Sequence, residues 1–191
     1  MIFEVTDVVH LNAWQEHLAS AATNAFNWCS TFQGTPLEWF QAAKFTTVGF
    51  DPYEPLRPLN LVEQINQTWS LIAGLEATRL LLTLHPEASG FKVAVGAQAA
   101  QPYDIMSIAP DIVAAEVFSA TSPSSNQKLT KDILKLSGAL AKNRYSFFIS
   151  PKYPTTLRHL KFERDGVMVW SIASPNYNIT PPAQTLTQSL C

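Results

Sequence analysis

The chain has 191 residues, of which 47% are hydrophobic and 15% are charged. This length can bury a sizeable core and the composition excludes an intrinsically disordered protein, so we expect one globular domain over residues 1–191. The formal net charge of −2 excludes a strongly basic protein that would hold nucleic acid by charge alone.

The sequence lacks the patterns of membrane and exported proteins. No apolar run is long enough to span a bilayer. The first ten residues, MIFEVTDVVH, carry acids where a secretory signal carries positive charge, so we expect no targeting segment, no membrane partner and a cytoplasmic location. Two cysteines, Cys29 and Cys191, form no CxxC spacing, which indicates neither a zinc site nor a disulfide framework.

Charge is distributed unevenly along the chain. Residues 1–119 carry four basic and twelve acidic side chains, whereas residues 120–165 carry nine basic and three acidic ones. Such asymmetry can mark a phosphate-contacting face opposite an acidic body, and it also fits lysine-rich helix and strand faces that are merely solvated. On charge alone the second interpretation is preferred.

Residues 1–58 are predicted to form an accessory helical region. A short strand is expected around Phe3, and apolar residues at helical spacing predict a helix over 11–32. Thr35 is a plausible cap for a second, short helix over 37–44, and a strand is expected over 45–48.

Residues 60–84 carry the clearest helical pattern in the chain. Asn60 is a good N-cap, and Glu63 three residues later completes the signature of a capping box. Glu63 has two interpretations: a charge that stabilises the helix N-terminus by about 0.3–1 kcal/mol, or a carboxylate facing a site that the sheet completes. Taken alone, the first is preferred.

Three strands, a helix and a fourth strand are predicted next. The strands are expected over 91–97, 103–108 and 112–118, with Ala109-Pro110-Asp111 as the turn between the last two. The following helix is expected over 126–141 and the fourth strand over 144–149. The apolar stripe predicted to face the core on the helix over 126–141 consists of Leu129, Ile133, Leu136 and Leu140.

The C-terminal segment, 151–191, is predicted to form a hairpin and a tail. Asp165-Gly166 is a typical turn sequence, and it predicts pairing of 160–162 with 167–172. The tail from Ser174 is predicted to be an extended loop.

Two carboxylates and two lysines in the central region indicate chemistry. Asp104 and Glu116 stand at opposite strand ends across the predicted turn, so antiparallel pairing would make them neighbours. Lys128 and Lys131 open the following helix. Carboxylates are the ligands that Mg²⁺ prefers, and an ammonium group can stabilise phosphate charge. The pattern therefore favours metal-assisted phosphodiester hydrolysis.

The order helix, three strands, helix, strand over residues 60–150 resembles the αβββαβ core of the PD-(D/E)XK nuclease superfamily, the restriction-endonuclease-like fold. Pro102-Tyr103-Asp104 stands where that family has Pro-Asp, with one residue inserted, and Glu116 stands at its Glu-x-Lys position. The first helix of the family often carries a Glu, which would be Glu63 here.

The resemblance implies an α/β protein with a mixed central sheet flanked by helices, carrying an N-terminal helical extension and a C-terminal hairpin. It implies that Asp104 and Glu116 bind Mg²⁺ or Mn²⁺ and that DNA is the substrate. Members are commonly dimeric, which leaves a homodimer or a partner subunit open.

Phe118 departs from the family pattern. Side chains two apart on a strand share a face, so the lysine of the Glu-x-Lys motif would stand at position 118. Some family members supply this lysine from the following helix, which makes Lys128 the preferred candidate and Lys131 the second. Three hypotheses stay open: a metal-dependent DNA nuclease, a catalytically silent nucleic-acid- or protein-binding module on the same scaffold, and an unrelated α+β domain.

Overall fold

The structure is a computed structural model that describes residues 2–54, 56–94 and 101–175. In these residues the chain forms a mixed seven-stranded sheet with helices packed against it, and a separate two-stranded sheet. The predicted α/β class is confirmed. The end of the strand predicted over 91–97 and the tail beyond residue 175 lie outside the described residues.

The helices follow the capping signals in the sequence. Asp7 accepts the backbone N–H of His10 at the first helix, and Thr35 with Glu38 and Asn60 with Glu63 form capping boxes at the next two. The helices are α1 Val8–Thr31, α2 Pro36–Phe45, α3 Leu61–Leu84 and α4 Lys128–Ser137. Across residues 2–54, 56–94 and 101–175, no helix combines the length and apolar character needed to cross a bilayer.

Helix α4 is shorter than the sequence predicts at both ends. Asn126 and Gln127 adopt left-handed backbone conformations with φ of 53° and 56°, so regular helix begins only at Lys128. The helix ends at Ser137 with Gly138 as its C-cap. Leu140, predicted to continue the core stripe, is therefore 88% exposed.

The main sheet has the strand order β1-β4-β5-β6-β7-β9-β8. Strands β4, β5 and β6 form an antiparallel meander, whereas β7 is parallel to β6 and β9 is parallel to β7. The strands are β1 Phe3–Val5, β2 Gly49–Phe50, β3 Pro58–Leu59, β4 Phe91–Val93, β5 Ile105–Ser107, β6 Val113–Ser119, β7 Asn143–Ile149, β8 Leu157–Arg158 and β9 Val167–Ser171.

Strand β6 is buried on both faces, and its alternating side chains enter two different cores. Ala115 and Val117 belong to the core that α1 and α3 cover, whereas Ala114 and Phe118 belong to the core that α4 covers. Because strand side chains alternate, Glu116 lies on the same face as Ala114 and Phe118, beneath α4. A carboxylate is thus placed between the sheet and a helix.

Two predictions about strands are wrong. The segment predicted as a strand over 45–48 begins with the last residue of α2, and the strand starts at Gly49. The segment predicted over 160–162 is a 3-10 turn, Leu160–Phe162, and β9 pairs with β8 instead. Asp165 and Gly166 do form the predicted turn, with φ of 53° and 73°, but it closes only the single bridge from Arg164 to Val167.

Candidate active site

Asp104 and Glu116 lie side by side on the sheet. Strand β5 pairs Ile105 with Ala115 and Met106 with Ala114, so continuing this register by one residue places Asp104 opposite Glu116. The backbone N–H of Asp104 donates to Glu116 Oε1 at 3.3 Å. Asp104 Oδ2 in turn accepts the backbone N–H of Val117 at 2.9 Å, so each carboxylate accepts a backbone N–H from the other's strand segment.

Helix α4 brings two ammonium groups to these carboxylates. Lys135 Nζ lies 2.6 Å from Glu116 Oε1, and Lys128 Nζ lies 3.9 Å from Glu116 Oε2. Lys128 also donates to Asp132 Oδ1 at 2.5 Å, one helical turn away. The three α4 residues are spaced at steps of four and three, which puts them on one stripe of the helix.

The cluster is partly removed from water, and this raises the pKa of two of its acids. Burial raises the pKa of Asp104 to about 7, and the neighbouring charge of Glu116 acts in the same direction. The hydrogen bond from Val117 and the charges of both lysines oppose this rise. Burial also raises the pKa of Asp132 to about 6, against the hydrogen bond from Lys128. Near neutral pH the Asp104 carboxyl group is therefore present in both its protonated and its ionised form.

Each of the two lysines also lies near an aromatic ring. Lys128 Nζ is 5.9 Å from the centre of the Phe118 ring, and Lys135 Nζ is 5.6 Å from that of Tyr103. Phe118 itself is buried and stacks on Phe148. A ring thus stands where the resembled family has its lysine, and the helix supplies an ammonium group that lies over this ring.

An open cleft of about 520 Å³ borders the cluster. Asp104, Lys128 and Lys131 line it, together with Asn66 and Ser70 of α3. Lys131 is exposed at this cleft, whereas the ion pairs to Glu116 come from Lys128 and Lys135. The cleft gives a ligand access to Asp104 and Lys128 from solvent.

Glu63 lies in the capping box of α3 and is not among the residues lining this cleft. Its Oε2 accepts the backbone N–H of Asn60 at 3.1 Å, and its own N–H donates to Asn60 Oδ1 at 2.9 Å. This is the stabilising role that the sequence favours for Glu63 taken alone. The site role implied by the family resemblance is not supported by its position.

Asp132 and Lys135 are members of the cluster that the sequence interpretation missed. Both follow Lys128 at helical spacing, which was the available signal. They flank the apolar stripe of α4, where polar residues are usually solvated, so the pattern alone did not distinguish them. Their importance depends on Glu116 facing α4.

The oxygen donors of the cluster fit a Mg²⁺ or Mn²⁺ site with few protein ligands. Asp104 and Glu116 supply two carboxylates, and Mg²⁺ is usually bound by one or two carboxylates plus waters and substrate phosphate. Asp132 Oδ2 is buried and has no hydrogen-bond partner among the described residues. Within 2–54, 56–94 and 101–175, no group of three or more His, Cys, Asp or Glu residues is arranged to hold a metal ion.

Comparison with known proteins adds no family assignment to this geometry. No protein-family model matches the chain, and no match was found among curated proteins or among solved structures.

Proposed function

We propose that the protein is a metal-dependent nuclease that hydrolyses DNA phosphodiester bonds at the cluster around Asp104 and Glu116. One observation carries the proposal: Asp104 and Lys128 line an open cleft, and both contact the buried Glu116, with which Lys135 also pairs. Phosphodiester hydrolysis needs this combination, because a divalent cation requires oxygen ligands and the pentavalent transition state requires positive charge.

The topology supports the same conclusion. Helix α3, the meander β4–β5–β6, helix α4 and the parallel strand β7 follow one another in the order of the αβββαβ core. Asp104 stands immediately before the second strand of this core, and Glu116 stands in the third. We therefore include a restriction-endonuclease-like fold in the proposal.

The residues of the cluster take distinct roles in this proposal. Asp104 and Glu116 would hold the cation. A bound divalent cation would activate a water molecule and neutralise charge on the phosphate. Lys128 lines the cleft, and its ammonium group is oriented by Asp132, so we assign it the stabilisation of phosphate charge. Lys135 holds the Glu116 carboxylate in position through its 2.6 Å ion pair.

The protonation of Asp104 links cation binding to pH. Its pKa of about 7 means that roughly half of the molecules carry a proton on this carboxyl group near neutral pH. A cation displaces this proton, so binding should tighten as the pH rises toward 7 and change little above it.

The test is cleavage of duplex and single-stranded DNA by the purified protein with Mg²⁺ or Mn²⁺. Asp104→Asn and Glu116→Gln should each lower cleavage at least about 100-fold. Asp111→Asn is the matched control, because Asp111 is an exposed turn residue and its replacement should leave cleavage unchanged. Cleavage at the wild-type rate in both site variants would refute the assignment.

The source of the catalytic lysine is tested separately. Lys128→Ala should lower cleavage about 100-fold, as removal of one charge-stabilising donor commonly does. Lys131→Ala should change it less than about threefold, because Lys131 lies in the cleft without pairing to the carboxylates. The reverse result would transfer the catalytic role to Lys131.

A second candidate function is a catalytically silent binding module on the same scaffold. The observation that favours it is that Lys135 already neutralises Glu116 at 2.6 Å, while Phe118 replaces the lysine of the motif. Calorimetric titration with Mn²⁺ separates the two functions. Saturable binding that is lost in Glu116→Gln supports the enzyme, and the absence of binding heat supports the silent module.

A further inference from the structure

A second cleft, largely apolar, adjoins the charged one. It has a volume of about 500 Å³ and is lined by Trp69, Pro151 and Pro154. It shares Ser119 and Ala120, at the end of β6, with the cleft that contains Asp104 and Lys128. The two clefts therefore adjoin at the end of β6, and together they are called the depression, with a charged half and an apolar half.

Trp69 forms the aromatic wall of the apolar half. It is half-buried on α3, next to Ser70, which lines the charged half. The hydroxyl of Ser150 donates to the carbonyl of Thr121 at 3.1 Å and accepts the N–H of Lys152 at 3.3 Å. Because this hydroxyl is already satisfied, the apolar half offers proline surface and the part of the indole that does not pack against the main core, more than it offers polar recognition.

We propose that the Trp69 cleft binds an unpaired nucleobase of the DNA strand whose phosphate lies in the charged cleft. This inference rests on the proposed nuclease function for the location of the phosphate. A nucleic-acid strand joins an anionic phosphate to a flat base with apolar faces. In the depression, Lys128 and Lys131 would contact the phosphate, and Trp69 in the adjoining half would contact the base. Neither half alone matches a nucleotide in this way.

The base must be unpaired to reach Trp69. Bases in a duplex are stacked on both faces, and their removal from the stack costs a few kcal/mol, which a single-stranded or frayed end does not require. The substrate is therefore DNA with an unpaired nucleotide next to the cleaved bond. Because stacking dominates the contact, discrimination among bases should be weak.

The test measures binding without cleavage, using fluorescence anisotropy in EDTA. The probes are a labelled oligothymidylate, a duplex of the same length, and an abasic oligonucleotide that keeps the phosphates but lacks the bases. Trp69→Ala should weaken binding of oligothymidylate about 5- to 100-fold, whereas Trp69→Phe should remain within about threefold of wild type. Binding of the duplex and of the abasic strand should change little in both variants.

Trp39→Ala is the matched control, because Trp39 is a half-buried tryptophan on α2 and does not line either cleft. Wild-type affinity of Trp69→Ala for oligothymidylate would overturn the inference, as would equal losses for all three probes. If Trp69→Ala does not fold, wild-type protein decides, because it should prefer oligothymidylate over the abasic strand by the same factor.

Failure of this inference can be told apart from failure of the nuclease proposal. Cleavage with Mg²⁺ that is equally fast in Trp69→Ala and wild type on single-stranded DNA removes the base site and leaves the nuclease. Trp69-dependent binding of single strands by a protein that never cleaves removes the nuclease and leaves the base site.

Discussion

Replacing Asp104 by asparagine should stabilise the folded protein in metal-free buffer at pH 8 while removing its capacity to bind Mn²⁺. The pKa of this carboxyl group rises from 3.8 to about 7 on folding, because burial and the charge of Glu116 disfavour its ionised form. The sign follows directly: a raised acid pKa means that the folded state binds the proton more tightly, so ionisation of Asp104 lowers stability as the pH rises from about 4 to above 7.

The magnitude follows from the same pKa change. A difference of roughly 3 between the folded and unfolded pKa corresponds to about 4 kcal/mol when Asp104 is fully ionised. Asparagine keeps an oxygen that can accept the N–H of Val117, and it carries no charge. We therefore expect Asp104→Asn to raise the free energy of unfolding by about 2–4 kcal/mol at pH 8, and by about 1 kcal/mol at pH 4.5.

The assay is urea denaturation in EDTA at both pH values, followed by tryptophan fluorescence and analysed by linear extrapolation. Asp111→Asn is the control, because Asp111 is exposed and has a φ of 59°, a conformation that asparagine tolerates. It should change stability by less than about 0.5 kcal/mol. A lower stability of Asp104→Asn at pH 8, or an equal change at both pH values, would refute the electrostatic reasoning.

Three further predictions concern the stability contributed by residues in and next to α4 and the affinity of the site for Mn²⁺. Lys135→Met should destabilise the protein by about 1–3 kcal/mol in urea denaturation, because it leaves the buried Glu116 without its 2.6 Å partner. The control, Lys131→Met, should lower the free energy of unfolding by less than about 0.5 kcal/mol. Mn²⁺ affinity measured by calorimetry should rise about tenfold per pH unit below pH 7 and level off above it, since Asp104 has a pKa of about 7. Gln127→Gly should raise the thermal midpoint and add about 0.5–1 kcal/mol of stability, because glycine adopts the left-handed conformation at φ 56° without strain.

Contrary results would be equally informative. Equal costs for Lys135→Met and Lys131→Met would mean that Glu116 is solvated. Mn²⁺ affinity independent of pH would remove Asp104 from the cation site. A loss of stability in Gln127→Gly would indicate that the glutamine side chain contributes contacts that outweigh its backbone strain.

The helices were predictable because their start signals are local. Asn60 and Glu63 mark the beginning of α3 by a reciprocal pair of hydrogen bonds that needs no tertiary contact. Helix α4 was predicted to start too early because the backbone at Asn126 and Gln127 is left-handed, and the apolar periodicity of this segment does not reveal that conformation.

The candidate site was predictable in part. The turn around Asp111 fixes the register of β5 and β6, and the register brings Asp104 beside Glu116. The contribution of Lys135 could not be read from the sequence in the same way. Strand β6 is buried on both faces, and apart from Glu116 and Ser119 its residues are apolar, so its sequence does not show which face α4 covers or which helix residues meet Glu116.

The C-terminal hairpin shows a related limit. Asp165-Gly166 locates a tight turn through its positive φ angles, but turn chemistry does not determine how far the flanking strands pair. Phe162 lies near the rings of Phe148, Tyr153 and His159, so Leu160–Phe162 forms a helical turn against an aromatic cluster instead of extending as a strand.

The two stripes of α4 have a consequence for how this site could change. Leu129, Ile133 and Leu136 are buried against the sheet, and this apolar contact sets the rotation of the helix about its own axis. The same rotation determines where the side chains of Lys128 and Lys135 point. Replacing one of these leucines by alanine should therefore displace both ammonium groups although the leucine contacts neither. The apolar residues of α4, which take no part in the chemistry, thus determine how well the charged cluster tolerates mutation.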